Sequence, residues 1–225
     1  MEHHFDTELD VLKQKLLLMA SYAETAVNRA VEALVTRNYN LAVRVKEEDA
    51  VLDRFEIEVD ELAIHLLAKA PLASDLRLVT VAMKISQNLE RVGDEATKIA
   101  KRARDLSKEP PLKLNLELPK MATLALGMLK AALDTFVNHD SAAARALIPR
   151  DKEVDALNKK INGELTLHMM ENPDSIPRCL NLIIASRSLE RIADHATNVA
   201  EEVVYLCDAQ DIRHAGKLPG TTTSG

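Results

Sequence analysis

Aromatic residues are scarce in this chain: Phe, Tyr and Trp together make up 3% of 225 residues, and Trp is absent. Strands favour aromatic and β-branched side chains, so the scarcity argues against an all-β fold. Turn formers are thin as well, with 6 Gly and 8 Pro, and a chain with so few must run long between reversals, as long helices do. Cysteine is limited to Cys179 and Cys207, which excludes a disulfide-stapled small domain. On the one helix predicted across both positions they stand about 42 Å apart at ~1.5 Å per residue, too far to pair within a chain, so both are expected as reduced thiols. No run approaches the roughly 18 apolar residues that span a bilayer, and the start MEHHFDTELD lacks the basic-then-apolar order of a signal peptide. A cytoplasmic location is expected. Basic excess is missing too: the formal net charge is −6. Nucleic acid and anionic lipid both want clustered Lys and Arg, so neither is an expected partner, and any membrane contact is expected to run through proteins.

What is present is an ordinary soluble composition, 47% hydrophobic and 28% charged, laid out twice. MASYAETAVNRAVEALV from Met19 aligns without gaps on MATLALGMLKAALDTFV from Met121, an offset of 102 that also carries Asp49 onto Asp151 and Asp53 onto Asp155. LERVGDEATKIA from Leu89 matches LERIADHATNVA from Leu189 at an offset of 100. Between the copies lies EPPLKLNLELP, Glu109 to Pro119, whose Pro pair breaks any helix. Within each copy apolar residues recur at steps of three and four. Leu78, Ala82, Ile85, Leu89, Val92, Ala96, Ile99 and Ala103 predict one long amphipathic helix. Leu52, Phe55, Val59, Leu62 and Leu66 predict a second, and Leu9, Leu12, Leu16, Met19 and Ala23 a third. Breaks at Asn38–Asn40 and at Pro71 separate them. The expected fold is all-α: two tandem three-helix antiparallel bundles, six long helices in all, each bundle with its own core. The expected units are a first bundle over 1–108, a linker over 109–118, a second bundle over 119–208 and a mobile tail over 209–225.

Chemistry concentrates in acidic pairs. Glu90 and Asp94 are four apart, as are Glu190 and Asp194, so each pair leaves one side of its helix, away from the apolar stripe. Asp49 and Asp53 form a similar pair on the preceding helix. In an antiparallel hairpin folded at Pro71, Asp53 comes level with Glu90 and Asp49 with Asp94; folded at Pro173, Asp155 comes level with Glu190 and Asp151 with Asp194. A single ExxxD on a helix is ordinarily a solvated face, but level pairing in both halves points to a compensating cation. Four hard oxygen donors suit iron, manganese, magnesium or calcium better than a closed thiolate zinc site. Arg91 and Arg191, beside the glutamates, offer the competing outcome of surface ion pairs. Glu61 with His65 and Glu164 with His168 read as boundary residues, and His195, with Glu95 at the matching place, as an outer neighbour of the acidic patch. Met19, Met83, Met121, Met128, Met169 and Met170 read as core filler. No Glu-x-x-His, P-loop, GxGxxG or GxSxG occurs.

The duplicated LERxxDxAT, preceded by PLASDLRLV in the first half and MMENPDSIP in the second, resembles the PhoU family of bacterial phosphate-signalling regulators over nearly the whole chain. The resemblance implies two three-helix bundles. It also implies E(D)xxxD motifs at Glu90/Asp94 and Glu190/Asp194, joined by Asp49, Asp53, Asp151 and Asp155 in metal clusters, with iron the first choice and manganese, magnesium or zinc after it. It further implies a non-enzymatic cytoplasmic adaptor, a homodimer, that represses the phosphate-starvation response through the phosphate transporter ATPase subunit and the sensor histidine kinase. The competing functions are a metal buffer and a metal-dependent hydrolase that activates water on the carboxylates.

Overall fold

The computed structural model describes residues 2–69 and 72–213, with the backbone alone for residues 2–4 and 6. All regular structure among the described residues is helical: α1 (Glu2–Thr36), α2 (Tyr39–Glu48), α3 (Ala50–Leu67), α4 (Ala73–Leu106), α5 (Leu118–Asn138), α6 (Ser141–Leu147), α7 (Asp151–Glu171) and α8 (Ile176–Asp208), with short 3-10 turns at Ile148–Arg150 and Pro173–Ser175. They form six rods, because α2–α3 and α6–α7 are each one interrupted rod. The sequence reading has those middle helices unbroken. In the second half the break holds Pro149, which has no N–H to give the helix ladder. In the first half the chain tightens into a three-residue turn in which Leu52 N–H donates to Asp49 O at 2.9 Å.

The first reversal is built the same way in both copies. Arg37 adopts a left-handed φ of 57°, and Asn38 Oδ1 then accepts from Leu41 N at 3.0 Å to cap α2. At an offset of 102, His139 has φ 53° and Asp140 Oδ1 accepts from Ala143 N at 2.9 Å to cap α6. Such caps satisfy donors that the first turn leaves without an intrahelical acceptor. The second reversal places α3 against α4; Pro71 itself lies outside the described residues. Asp75 Oδ2 accepts from Leu72 N at 3.2 Å and starts α4, while Pro119 and Pro177 sit in the first turns of α5 and α8, where a missing N–H is harmless.

Rods α1, α2–α3 and α4 pack as one bundle and α5, α6–α7 and α8 as the other; α4 also lies along α8, and α1 touches α5. Surrounded in this way, α4 is buried on more than one face. Leu89, Val92, Ala96 and Ile99 are buried as the periodicity predicts, but so are Val79, Val81, Ser86, Gly93 and Ala100 on the rest of α4, and one contiguous buried cluster runs through both halves. Fully buried side chains such as Leu12, Leu16, Leu89, Met121, Leu129 and Phe136 each contribute roughly 1.5–3 kcal/mol of apolar burial.

The connection between the halves is tied down. Leu112, Leu114 and Leu116 pack on the core, Arg37 donates to Leu106 O and Glu109 O, and Arg178 donates to Pro110 O at 3.1 Å. Of the expected tail, Ile212 packs on the core and Arg213 pairs with Glu202 at 3.1 Å; residues 214–225 lie outside the described residues. Cys179 and Cys207 are free thiols on α8, the first buried and the second half-buried. Met19, Met121 and Met128 fill the core, whereas Met170 is 76% exposed near the C-terminus of α7 and is no filler.

Candidate metal-binding carboxylate clusters

The helix break puts Asp49 at the doorstep of α3 with Asp53 in its first turn, while Glu90 and Asp94 stand on the middle of α4. The two helices approach closely because residue 93 is glycine: a Cβ there would lie 2.3 Å from Leu52 Cδ1 and 3.7 Å from Asp49 Oδ1. The matching positions of the second half carry Val154 and Ala193, the smaller side chain opposite the larger residue.

All eight sequence-predicted carboxylates are exposed or half-buried, as their position off the apolar stripe requires. Their charges act on one another across the two helices. Partial burial raises the Asp49 pKa, the adjacent Thr97 hydroxyl opposes it, and the charges of Asp53 and Asp94 add to the rise. Glu90 is raised by burial and by Asp94, Glu56 and Asp53, against the pull of Arg91. In the second half, burial together with Asp194, Asp155 and Glu190 pushes Asp151 up to about 6. Asp194 is raised by burial, Glu190 and Asp155, with Arg191 opposing. Each half therefore holds a mutually repelling acidic group across two adjacent helices.

Sequence reasoning missed Glu56 and Asp60. Glu56 is half-buried, and burial, Asp60, Asp53 and Asp94 raise its pKa. The signal was available, since Glu56 follows Asp53 by three positions and shares its helix face. The basic neighbours divide their work. Arg91 lowers both Glu56 and Glu90 through its charge, whereas Arg191 NH1 reaches across the seam to Glu95 Oε1 at 3.4 Å. Glu95, 4% exposed, lies in the α4–α8 seam rather than on the acidic patch. Burial raises its pKa, but hydrogen bonds from Lys98 and Ser188 and the charges of Lys98 and Arg191 outweigh it, and the net shift is downward. His195 also faces the seam, with Nδ1 3.0 Å from Asn88 Oδ1 and its pKa lowered chiefly by burial. His65 lies 3.6 Å from Glu8, and His168 contacts Asn172 at 3.4 Å, so both behave as the boundary residues expected.

The donor set suits a hard cation: oxygen ligands of like charge, among which Asp60 Oδ1 and Asp151 Oδ1 are buried without a hydrogen-bond partner. Among the described residues no three His, Cys, Asp or Glu already converge on one coordination point, so an ion would have to draw the carboxylates together from their helix surfaces. Beside Asp49 an open groove of about 520 Å³, lined by Leu18, Tyr22 and Leu52, is crossed by the Arg29–Glu48 ion pair.

A family profile described as the PhoU domain matches residues 16–103 and again residues 118–203. The chain belongs to the PhoU family. The two matched stretches coincide with the two bundles, so the internal repeat is a repeat of that domain. The chain is similar to the phosphate-specific transport system accessory protein PhoU homolog of Pseudomonas aeruginosa, 40% identical over 222 residues that cover 96% of this chain and 92% of that one. The phosphate-specific transport system accessory protein PhoU of Escherichia coli is 34% identical over 213 residues, 94% of this chain and 88% of the other. Among solved structures, PhoU from Pseudomonas aeruginosa superimposes with a TM-score of 0.88 at 40% identity, covering 92% of this chain and all of that one. The phosphate transport system regulatory protein PhoU from Streptococcus pneumoniae gives 0.85 at 28% identity, over 92% and 99% of the two chains. No helix among the described residues is long and apolar enough to cross a membrane.

Proposed function

We propose that this chain is a cytoplasmic, non-enzymatic regulator of phosphate uptake and of the phosphate-starvation response. It acts by contact with the ATPase subunit of the phosphate transporter and with the phosphate sensor kinase, and it works as a homodimer. The observation that carries the reading is the near full-length likeness to proteins named accessory to the phosphate-specific transport system. The long rigid rods support it physically, because they offer broad surfaces for protein docking. An acidic chain with no candidate spanning helix among its described residues fits membrane contact through protein partners.

Metal belongs to the same reading. Asp49, Asp53, Glu90 and Asp94 in one half, and Asp151, Asp155, Glu190 and Asp194 in the other, would each hold cations, iron first and manganese, magnesium or zinc after it. The support is the repulsion evident at Asp49, Glu90, Asp151 and Asp194, which a cation would relieve. Bound metal would turn an anionic patch into one able to dock a mixed or anionic protein surface. The carboxylates stand on helix surfaces beside an open groove, which favours docking over the hydrolase alternative.

The deciding experiment is co-purification of the intact protein from phosphate-rich and phosphate-starved cells, alongside a deletion strain. The expected result is recovery of transporter ATPase and kinase in a phosphate-dependent manner, with starvation genes left on by deletion. An unchanged phosphate response with neither partner recovered refutes the adaptor reading and leaves the metal buffer.

A further inference from the structure

Past the C-terminus of α8 the chain turns back along its own helix. Ala209 takes a left-handed φ of 54° and its N–H donates to Tyr205 O at 3.0 Å, which ends the helix and reverses the path. From α6, Arg145 NH2 donates to Asp208 Oδ2 and to Gln210 Oε1, each at 3.0 Å, and fixes the base of the reversal. Ile212 then packs on the core. Asp211 Oδ1 accepts from Arg213 N at 3.1 Å and from Arg213 Nε at 2.9 Å, so the guanidinium is oriented by its own neighbour. It is aimed at Glu202, whose Oε1 accepts from Arg213 NH1 at 3.1 Å.

Glu202 is 5% exposed and stands in the α4–α8 seam. Its second oxygen, Oε2, accepts from Lys84 Nζ of α4 at 2.9 Å, and Lys84 also lies 5.4 Å above the Tyr205 ring. One buried carboxylate therefore joins the first bundle to the segment that follows the second. Taking Arg213 away leaves a buried carboxylate oxygen unpaired, a costly state. Water entering the seam or Glu202 turning outward relieves it, and both loosen the hold of α8 on Lys84. This contact belongs to one copy alone. At an offset of 100, Glu202 and Arg213 match Arg102 and Lys113, two like charges, while Ile212 matches Leu112 of the connection between the halves. Leu112 also packs on the core, but there the chain is held by Arg37 and Arg178.

We propose that Ala209–Arg213 is a releasable clasp on the seam between the two bundles. Docked, it fixes the relative placement of the two repeats through Glu202; released, that end of the seam opens and the bundles shift against each other. Release starts at Arg213, whose side chain is 40% exposed against 6% for that of Glu202. The clasp depends on neither the metal nor the adaptor reading.

The test is double electron–electron resonance on the full chain, spin-labelled at I64C on α3 and V137C at the end of α5, both exposed positions. Half-buried Cys207 is replaced by Ser and buried Cys179 is kept. The parent should give one narrow distance distribution. R213Q and I212S should broaden or shift it by about 2 Å or more, and R213K should keep it. K84Q should reproduce the R213Q change, with little added in K84Q/R213Q, since both act on one carboxylate. Unchanged far-UV circular dichroism separates release from unfolding; should I212S lose helicity, R213Q alone decides. A parental distribution in R213Q refutes the clasp, as does a change in R213K equal to that in R213Q.

Discussion

Asp151 is where charge in the second cluster is most confined, and Asp151→Asn tests the consequence. Its carboxyl is raised from the ordinary 3.8 to about 6 by burial and by Asp194, Asp155 and Glu190. Two units correspond to about 3 kcal/mol, but the side chain is only half-buried and solvent screening reduces this by about half. A carboxylate in the first turn of α7 recovers a few tenths of a kcal/mol from the helix dipole, which leaves a penalty of about 1 kcal/mol at pH 7 in metal-free protein. The sign follows from linkage: the folded pKa lies above the unfolded one, so this group's contribution is complete below pH 3.8 and is lost as the pH rises through 6. D151N should accordingly be more stable than the parent by about 1 kcal/mol at pH 7 to 8 in EDTA, a rise in Tm of about 3 °C, with the difference vanishing near pH 4. Urea unfolding followed by far-UV circular dichroism across that range measures it. A pH-independent difference, or a variant no more stable than the parent at pH 8, would refute the cluster electrostatics. Cations invert the dependence, since a ligating carboxylate must be ionised; Mn²⁺ affinity of the second cluster should fall as pH drops through 6.

Three further outcomes follow from the geometry. G93A gains about 1 kcal/mol of helix propensity but drives a methyl into Leu52 at a cost of about 1–3 kcal/mol, so it should destabilise, and L52V/G93A, which copies the second half, should recover about 1 kcal/mol in a thermal double-mutant cycle. E95A removes the buried acceptor of Lys98 and Arg191 at the α4–α8 seam; because both cations keep solvent contact the loss should be about 1–2 kcal/mol, and in the parent the Glu95 contribution should fade as acid titrates its depressed carboxyl. H139G relieves an exposed left-handed residue after α5 and should stabilise by about 0.5–1 kcal/mol in denaturant melts, a result that a destabilised variant would contradict.

Much of this architecture was legible because helical periodicity and duplication are local signals. The α4 stripe from Leu78 to Ala103, the break at Asn38 and the level pairing of Asp53 with Glu90 all depend only on spacing and on short reversals. What spacing could not reveal was the second face of α4. Val79, Val81, Ser86 and Ala100 fall outside the amphipathic stripe yet are buried, Ser86 against Met19 of α1, because α4 packs on α1, α2, α3 and α8 at once. The α4–α8 seam takes His195 away from the acids: along the helix it is a neighbour of Asp194, as Glu95 is of Asp94, but a step of one residue turns the side chain about 100° and sends it to the other bundle. Glu56 was overlooked for the opposite reason. Asn158 stands at its matching place in the second copy, so Glu56 belongs to no duplicated acidic pair.

The interrupted middle rods give the clusters a physical logic that an unbroken helix would lack. Four like charges on two packed helices repel, and the core beneath them offers no counterion. Starting a new helix at Ala50 and at Asp151 places Asp53 and Asp151 in first turns and Asp49 just ahead of one, where backbone N–H groups without intrahelical partners and the positive end of the helix dipole favour a carboxylate by about 0.3–1 kcal/mol each. Glu90 and Asp94 have no such help, since they lie mid-way along the 34-residue α4. The break therefore offsets part of the repulsion on one side of each cluster and leaves it unrelieved on the other. The hydrophobic core, continuous through both halves, holds the helices in place against the repulsion that remains.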